Sequence, residues 1–327
     1  MPAETGLRDV RDPSRDGGAL VEGTKGGRSI AELPPSMRAR YVELLQAAID
    51  DPVRPPHVIT RRRQRRGVRL PRRELFGIPL AEVAYDDVVE LVNRVLADPS
   101  RGGLTIDALN TMGISQSCLD PRMREALLGY DVVVPDGMPL VWCMNAKGAR
   151  LDDRVYGPYM TDQLLRRLER PTRVAVIGGF ADVHEWLRHE GSSRYPNARF
   201  TLLYDAPPGP VDDAYAFDCA ECIVRSGAEL VFVCLGVPRQ YYWTELSRRY
   251  LGDKVCVSVG GAFDFISGAK RYAPAWMQRA GLTWLHRLIN EPRRLGTRYL
   301  KYNSTFLWLL LTREVLRRGS PRPIGMS

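Results

Sequence analysis

No stretch of the 327-residue chain is long and apolar enough to span a bilayer. The longest dense apolar run, Phe306 to Leu311, is far short of the roughly 20 residues a membrane helix needs. The first 30 residues lack the apolar segment of a secretory signal, so a cytosolic protein is expected, with surface contact to a membrane left open. Cysteine is scarce: there are six, and Cys219-Ala-Glu-Cys222 has no second pair to complete a zinc site. The cysteines mostly lie in apolar segments and read as buried thiols in a reducing compartment. No complete G-x-G-x-x-G stands at a strand-to-helix turn, which counts against a nucleotide-dependent oxidoreductase. There is no D-x-D-like motif either. Asp152-Asp153 and Asp212-Asp213 fit a solvated turn and a helix N-terminus better than a magnesium site, so no metal is expected.

What the chain does have is hydrophobic content, 44%, enough for a substantial core, and a net charge of +9 that is unevenly spread. Residues 1–73 carry 16 Lys/Arg against 9 Asp/Glu, residues 269–318 carry 11 against 2, and residues 74–268 carry 19 against 27. An acidic middle between basic ends points to a phosphate-bearing or membrane-surface partner at one or both ends, or to solvated charged faces. Residues 1–73, rich in Arg, Pro and Gly, read as a mostly disordered basic arm with one short helix at 37–49. Its run Arg61-Arg62-Arg63-Gln64-Arg65-Arg66 has no interleaved aromatics, so a solvated tail is preferred and no nucleic acid is expected.

From residue 74 to 268 the pattern is an α/β one. The runs LTIDALN (104–110), DVVVP (131–135), RVAVIGG (173–179), ARFTLLY (198–204), LVFVCLG (230–236) and KVCVSVGG (254–261) read as strands. Segments with helical apolar spacing alternate with them: DPRMREALLGY, YMTDQLLRRLER, ADVHEWLRHEG, DAYAFDCAECIVRSG and RQYYWTELSRRYLG. This rhythm predicts a Rossmann-like, mainly parallel sheet with helices on both faces and ligands bound beyond the carboxyl ends of the strands.

Several polar or glycine residues stand just there: Asn110, Asp136, Gly178, Gly179, Gly236 and Gln240. Each has an ordinary structural reading, as an Asn at a strand end often caps a helix. Asp136 is the sharpest case, a lone carboxylate in VVVPDGMPLVW. A charge in such a setting is solvated, neutralised or employed. After Gly268 the chain combines Arg and Lys with Trp, Tyr, Phe and Leu, with Pro274 and Pro292 at helix starts and Gly281 and Gly296 at breaks. Residues 269–327 therefore read as a helical, membrane-associating appendage, with an ordinary helical subdomain as the alternative. Its removal is expected to leave the core folded.

Three ordered motifs carry a family resemblance: VFVCLGVPRQ, then VGGAFDFISG, then YAPAWMQRAGLTWLHRLINEPRR. With LNTMGISQSCLDPRMREALLGYDVVVPDGMPLVW they run from about residue 74 to 300 and resemble the WecG/TagA/CpsF family of bacterial glycosyltransferases. The resemblance implies inverting transfer of a hexose-type sugar from a UDP-sugar to a polyprenyl-diphosphate-linked saccharide, in surface polysaccharide biosynthesis at the inner face of the cell membrane. It implies no cofactor and no obligatory metal, a peripheral cytoplasmic protein at an anionic membrane surface, and leaves a homo-oligomer open. Carried over, Asp136 matches the base of the family's PDG motif, while Asn110, Arg154 and Gln240 match substrate-binding positions. Arg287, Arg294 and Arg298 match the appendage arginines, with Arg293 competing for the place of Arg294. Three positions depart from the pattern: Ala108 replaces a usual threonine, Tyr241 an acidic residue, and Arg271-Tyr272-Ala273-Pro274 the usual Arg-Ala-Pro. A nucleotide-dependent oxidoreductase and a non-catalytic membrane-surface adaptor remain as competing readings.

Overall fold

The computed structural model describes residues 70–315, with the side chains of 294 and 313–315 excepted. The expected arm and its helix, up to residue 69, lie outside the described residues, as does the chain after 315.

The first ordered element is an antiparallel hairpin, β1 (Arg72–Leu75) and β2 (Ile78–Ala81), closed by Phe76-Gly77. Both turn residues have positive φ, 53° and 78°, the backbone of a two-residue turn that matches strand twist. A phenylalanine at such a position is not a usual turn signal, which is why the hairpin is not evident from sequence. Helix α1 (Tyr85–Ala97) follows, its start held by the Ala84 N–H donating to Asp87 Oδ2 at 2.8 Å.

The six expected strands are all present: β3 (Leu104–Leu109), β4 (Val132–Pro135), β5 (Thr172–Gly178), β6 (Ala198–Tyr204), β7 (Leu230–Cys234) and β8 (Val255–Ser258). They form one parallel sheet in the order β4-β3-β8-β7-β5-β6. The connecting helices are α2 (Thr111–Leu119), α3 (Pro121–Leu128), α4 (Met138–Asn145), α5 (Gly157–Arg166), α6 (Ala181–Trp186), α7 (Asp213–Ser226) and α8 (Arg239–Ser247). The fold is Rossmann-like.

Alternate strand residues serve opposite faces, as the pleat requires: Val132 and Val134 enter one apolar cluster with α1 and α5, Val133 the other with α2, α3 and α4. The chain moves outward from β3 to β4, crosses to β5, moves outward to β6 and returns inward through β7 to β8. Crevices open where such reversals occur, at the carboxyl ends of the central strands.

After β8 come α9 (Ala262–Ile266), α10 (Ala275–Arg279), α11 (Thr283–Asn290) and α12 (Pro292–Leu309). This appendage packs into the core. Phe306 and Leu309 of α12 are buried in the cluster that contains Leu75, Phe76, Ile78 and Ile114, and the Phe306 and Phe76 rings meet edge to face at 5.8 Å. Sequence spacing cannot show that the last helix completes the core begun by the first hairpin.

Candidate active site

Asp136 follows β4 directly. Its backbone N–H donates to the Leu109 carbonyl at the end of β3 (2.8 Å), and the Pro135 carbonyl accepts from Val155 (2.9 Å). The main chain is thereby fixed between two neighbours before Gly137 turns it into α4. The carboxylate Oδ1 accepts the Gly157 N–H at the first position of α5, at 2.6 Å. A helix N-terminus favours negative charge at this place. Asn110 ends β3 and caps α2, its Oδ1 accepting from the Gly113 N–H at 3.0 Å, and its side chain also hydrogen-bonds Asp136.

Asp136 is half-buried, and burial pushes its carboxyl from the ordinary 3.8 up to about 6. The charge of Arg154, the Gly157 N–H, the charge of Arg287 and the Asn110 hydrogen bond all pull the other way. Desolvation wins, leaving a carboxylate more basic than an exposed one yet ionised at neutral pH.

Arg154 is buried at 6% exposure, lies over the Tyr156 ring at 4.2 Å, and donates from Nη2 to Gln278 Oε1 at 3.3 Å. Gln278 in turn donates to the Ala273 carbonyl at 2.8 Å, so Arg154 joins the core to the appendage. Arg287 on α11 lies 5.8 Å from the Phe265 ring centre, with its Nε buried and lacking a hydrogen-bond partner. Tyr156, Phe265 and Tyr272 pack with ring centres 5.3–6.4 Å apart beside these two arginines. Tyr272, one of the departures from the family pattern, thus forms part of the wall near Asp136.

Beneath this group lies a buried polar network. Asp107 of β3 is fully buried and accepts from Gln240 Nε2 and from the Tyr241 hydroxyl, each at 3.0 Å. Tyr130 donates to the Gln240 main-chain carbonyl at 3.3 Å and shares a 2.8 Å hydrogen bond with Ser258. Burial pushes the Asp107 carboxyl up to about 8, against the lowering effect of its two hydrogen bonds, with the nearby charge of Asp136 adding to the rise.

Gly178 and Gly179 end β5 with φ of 82° and 99°. A Cβ on Gly178 would stand 3.0 Å from the Cys234 carbonyl of adjacent β7, so only glycine fits. Gly236 has φ 70° and open space around it.

The structure therefore brings Asn110, Asp136, Arg154 and Arg287 together and sets Gln240 close by. Gly178, Gly179 and Gly236 line the neighbouring strand ends. Arg298 is half-buried on α12, outside the contacts that join the other residues, and the Arg294 side chain is not among those described. Sequence reasoning missed Gly157, Tyr156, Gln278 and Asp107. Gly157-Pro158 before an apolar-periodic run is a helix-start signal, and Asp107 inside LTIDAL is the same kind of lone carboxylate as Asp136. Among the described residues no group of three or more His, Cys, Asp or Glu is arranged to hold a metal ion.

Residues 73–320 match the glycosyl transferase WecG/TagA/CpsF family. The chain belongs to this family. It is a glycosyltransferase, and the oxidoreductase and adaptor readings fall away. Two relatives are similar to much of it. An N-acetylglucosaminyldiphosphoundecaprenol N-acetyl-beta-D-mannosaminyltransferase of Bacillus subtilis (strain 168) is 30% identical over 221 residues, 67% of this chain and 84% of that protein. A protein of the same name from Bacillus spizizenii (strain ATCC 23059 / NRRL B-14472 / W23) is 28% identical over 198 residues, 60% of this chain and 75% of that protein.

Proposed function

We propose that this glycosyltransferase moves a hexose-type sugar from a UDP-sugar to a saccharide carried on a polyprenyl diphosphate, with inversion, and that Asp136 is the general base. The relatives' names, which describe transfer to an N-acetylglucosaminyl-diphosphoundecaprenol, support the acceptor class. The observation that carries the role of Asp136 is its half-buried carboxylate, raised to about 6 at the mouth of the sheet and fixed by Gly157.

In the proposed step Asp136 takes the proton of the acceptor hydroxyl as that oxygen bonds to the anomeric carbon, and the bond from that carbon to the UDP oxygen breaks with its electron pair on UDP. Negative charge then grows on the departing diphosphate. Arg287, whose Nε has no protein partner, and Arg154 supply guanidinium charge and directed N–H groups close to Asp136. Arg294 and Arg298 of the appendage are proposed to add to this, on either UDP or the lipid diphosphate. No obligatory metal is proposed, and turnover is expected to persist in EDTA.

The membrane role of the appendage is likewise a proposal. Leu300, Leu307, Trp308 and Leu311 are 58–75% exposed and lie along one side of the last helical segment, opposite the buried Leu295, Tyr299, Phe306 and Leu309. Such a second apolar face, with Lys301 beside it, suits insertion at an anionic inner-leaflet surface where a prenyl-linked acceptor resides. No helix among the described residues is long and apolar enough to cross a membrane.

The test is transfer from UDP-Glc, UDP-GlcA, UDP-ManNAc and UDP-ManNAcA to a prenyl-diphosphate-linked acceptor by the wild type and by Asp136→Asn. The variant is expected to lose about 10²- to 10⁴-fold in kcat, the usual contribution of a positioned base. Full activity in a folded Asp136→Asn protein removes Asp136 as the base.

A further inference from the structure

Beneath Asp136, the Gln240 side chain is held at one end only. Its Nε2 donates to Asp107 Oδ1, while its Oε1 is buried without a hydrogen-bond partner, in a residue only 3% exposed. A buried carbonyl oxygen left without a donor is destabilising, so such an atom in a native fold calls for a partner the protein itself does not supply.

The direction of this oxygen is set by its surroundings. Gly260, at φ 54° just beyond β8, has no side chain, and a Cβ there would stand 3.6 Å from Gln240 Oε1. The same strand end borders the Asp136 cluster: a Cβ on Gly157 would stand 3.7 Å from the Val259 carbonyl and 3.6 Å from Asp136 Oδ1. The free oxygen therefore faces the glycine turn on the side where the reacting groups gather.

Asp107 decides which end of the amide faces that turn. The amide nitrogen can only donate, and Asp107 Oδ1 accepts from it, so Gln240 presents Nε2 to Asp107 and leaves Oε1 outward. Tyr241 completes the anchor by donating its hydroxyl to Asp107 Oδ2 at 3.0 Å. Tyr130 holds the backbone of the same residue, donating its hydroxyl to the Gln240 main-chain carbonyl.

We propose that Asp107 is a positioning residue for the transfer, which with Tyr241 holds the Gln240 amide so that Oε1 accepts a hydrogen bond from the nucleotide sugar at the Gly260–Gly261 turn. The ligand group is an O–H or N–H donor on the sugar, a hydroxyl or an acetamido N–H. This rests on the UDP-sugar reading above.

The experiment compares wild type, Asp107→Leu and Asp107→Asn in calorimetric binding of UDP-Glc and UDP-ManNAc, with crystal structures of both variants. Asp107→Leu removes the anchor and is expected to weaken binding about tenfold, the loss of roughly one hydrogen bond, and to raise the donor KM with little change in kcat. Asp107→Asn, whose amide oxygen still accepts from Gln240 Nε2, is expected to restore both. Weakening confined to UDP-ManNAc identifies the acetamido N–H as the group held, and weakening of both sugars identifies a shared hydroxyl. Unchanged affinity in a folded Asp107→Leu protein, or a leucine variant in which the Gln240 amide keeps its place, overturns the proposal. A wild type that binds neither sugar defeats the UDP-sugar reading instead, and the crystal structures still judge Asp107: a Gln240 amide released in the leucine variant and retained in the asparagine variant upholds its positioning role.

Discussion

Asp136 and Asp107 are neighbouring carboxyls with different environments, and each sets a pH dependence. Asp136, raised to about 6, must be ionised to accept a proton, so kcat/KM is expected to fall on the acid side with an apparent midpoint near pH 6. A pH–rate profile flat from pH 7 down to 5 contradicts its role as base. Asp107 affects stability. Its folded value of about 8 lies above the ordinary 3.8, so between about pH 4 and 8 the folded protein holds a proton that the unfolded chain has released. Its contribution is fully present below the unfolded value and is lost as pH rises through about 8. Denaturant unfolding at a series of pH values is expected to show this decline, and Asp107→Asn to flatten it. Of the residues of the candidate site, Asn110, Asp136 and Gln240 were legible as candidates because a strand end followed by a polar residue is a local pattern. Gly157 was not, because its contribution is a backbone N–H.

At the scale of elements, one contact between the appendage and the core lies beside the helix that follows Asp136. Gly281, at φ 70° between α10 and α11, lies against Trp142 of α4, the helix that Asp136 leads into. A Cβ there would come within 2.7 Å of Trp142 Cη2. Gly281→Ala is therefore strained in both backbone and contact, at a cost of about 1–3 kcal/mol. The expected result is a lower melting temperature together with reduced transfer, since α11 carries Arg287. An alanine variant with unchanged melting and turnover shows that this contact does not hold the appendage in place. The six parallel strands were legible from β-rich runs set among amphipathic segments. The β1–β2 hairpin and α1 were not, because a Phe-Gly turn carries no usual turn signal, and α1 is short of the capping residues that mark a start: its N-cap is Ala84, which offers no side-chain acceptor.

For the molecule as a whole, the expectation concerns the membrane. Vesicles containing anionic phospholipid are expected to sediment the full chain, and the double variant Leu307→Asp, Trp308→Asp to remain in the supernatant, because these residues lie on the exposed side of α12, away from the core. Equal sedimentation of both proteins rules that face out as the contact. The sequence by itself determined the parallel α/β class, the family and the carboxylate at the end of β4, because apolar periodicity and short ordered motifs are local properties of a chain. Only the tertiary structure decided that the last helix completes the core of the first hairpin, that Arg154 and Arg287 converge on Asp136, and that Asp107 lies beneath them. These are contacts between residues far apart in the chain, chosen by packing and by the need to pair buried charge, and no local pattern records them.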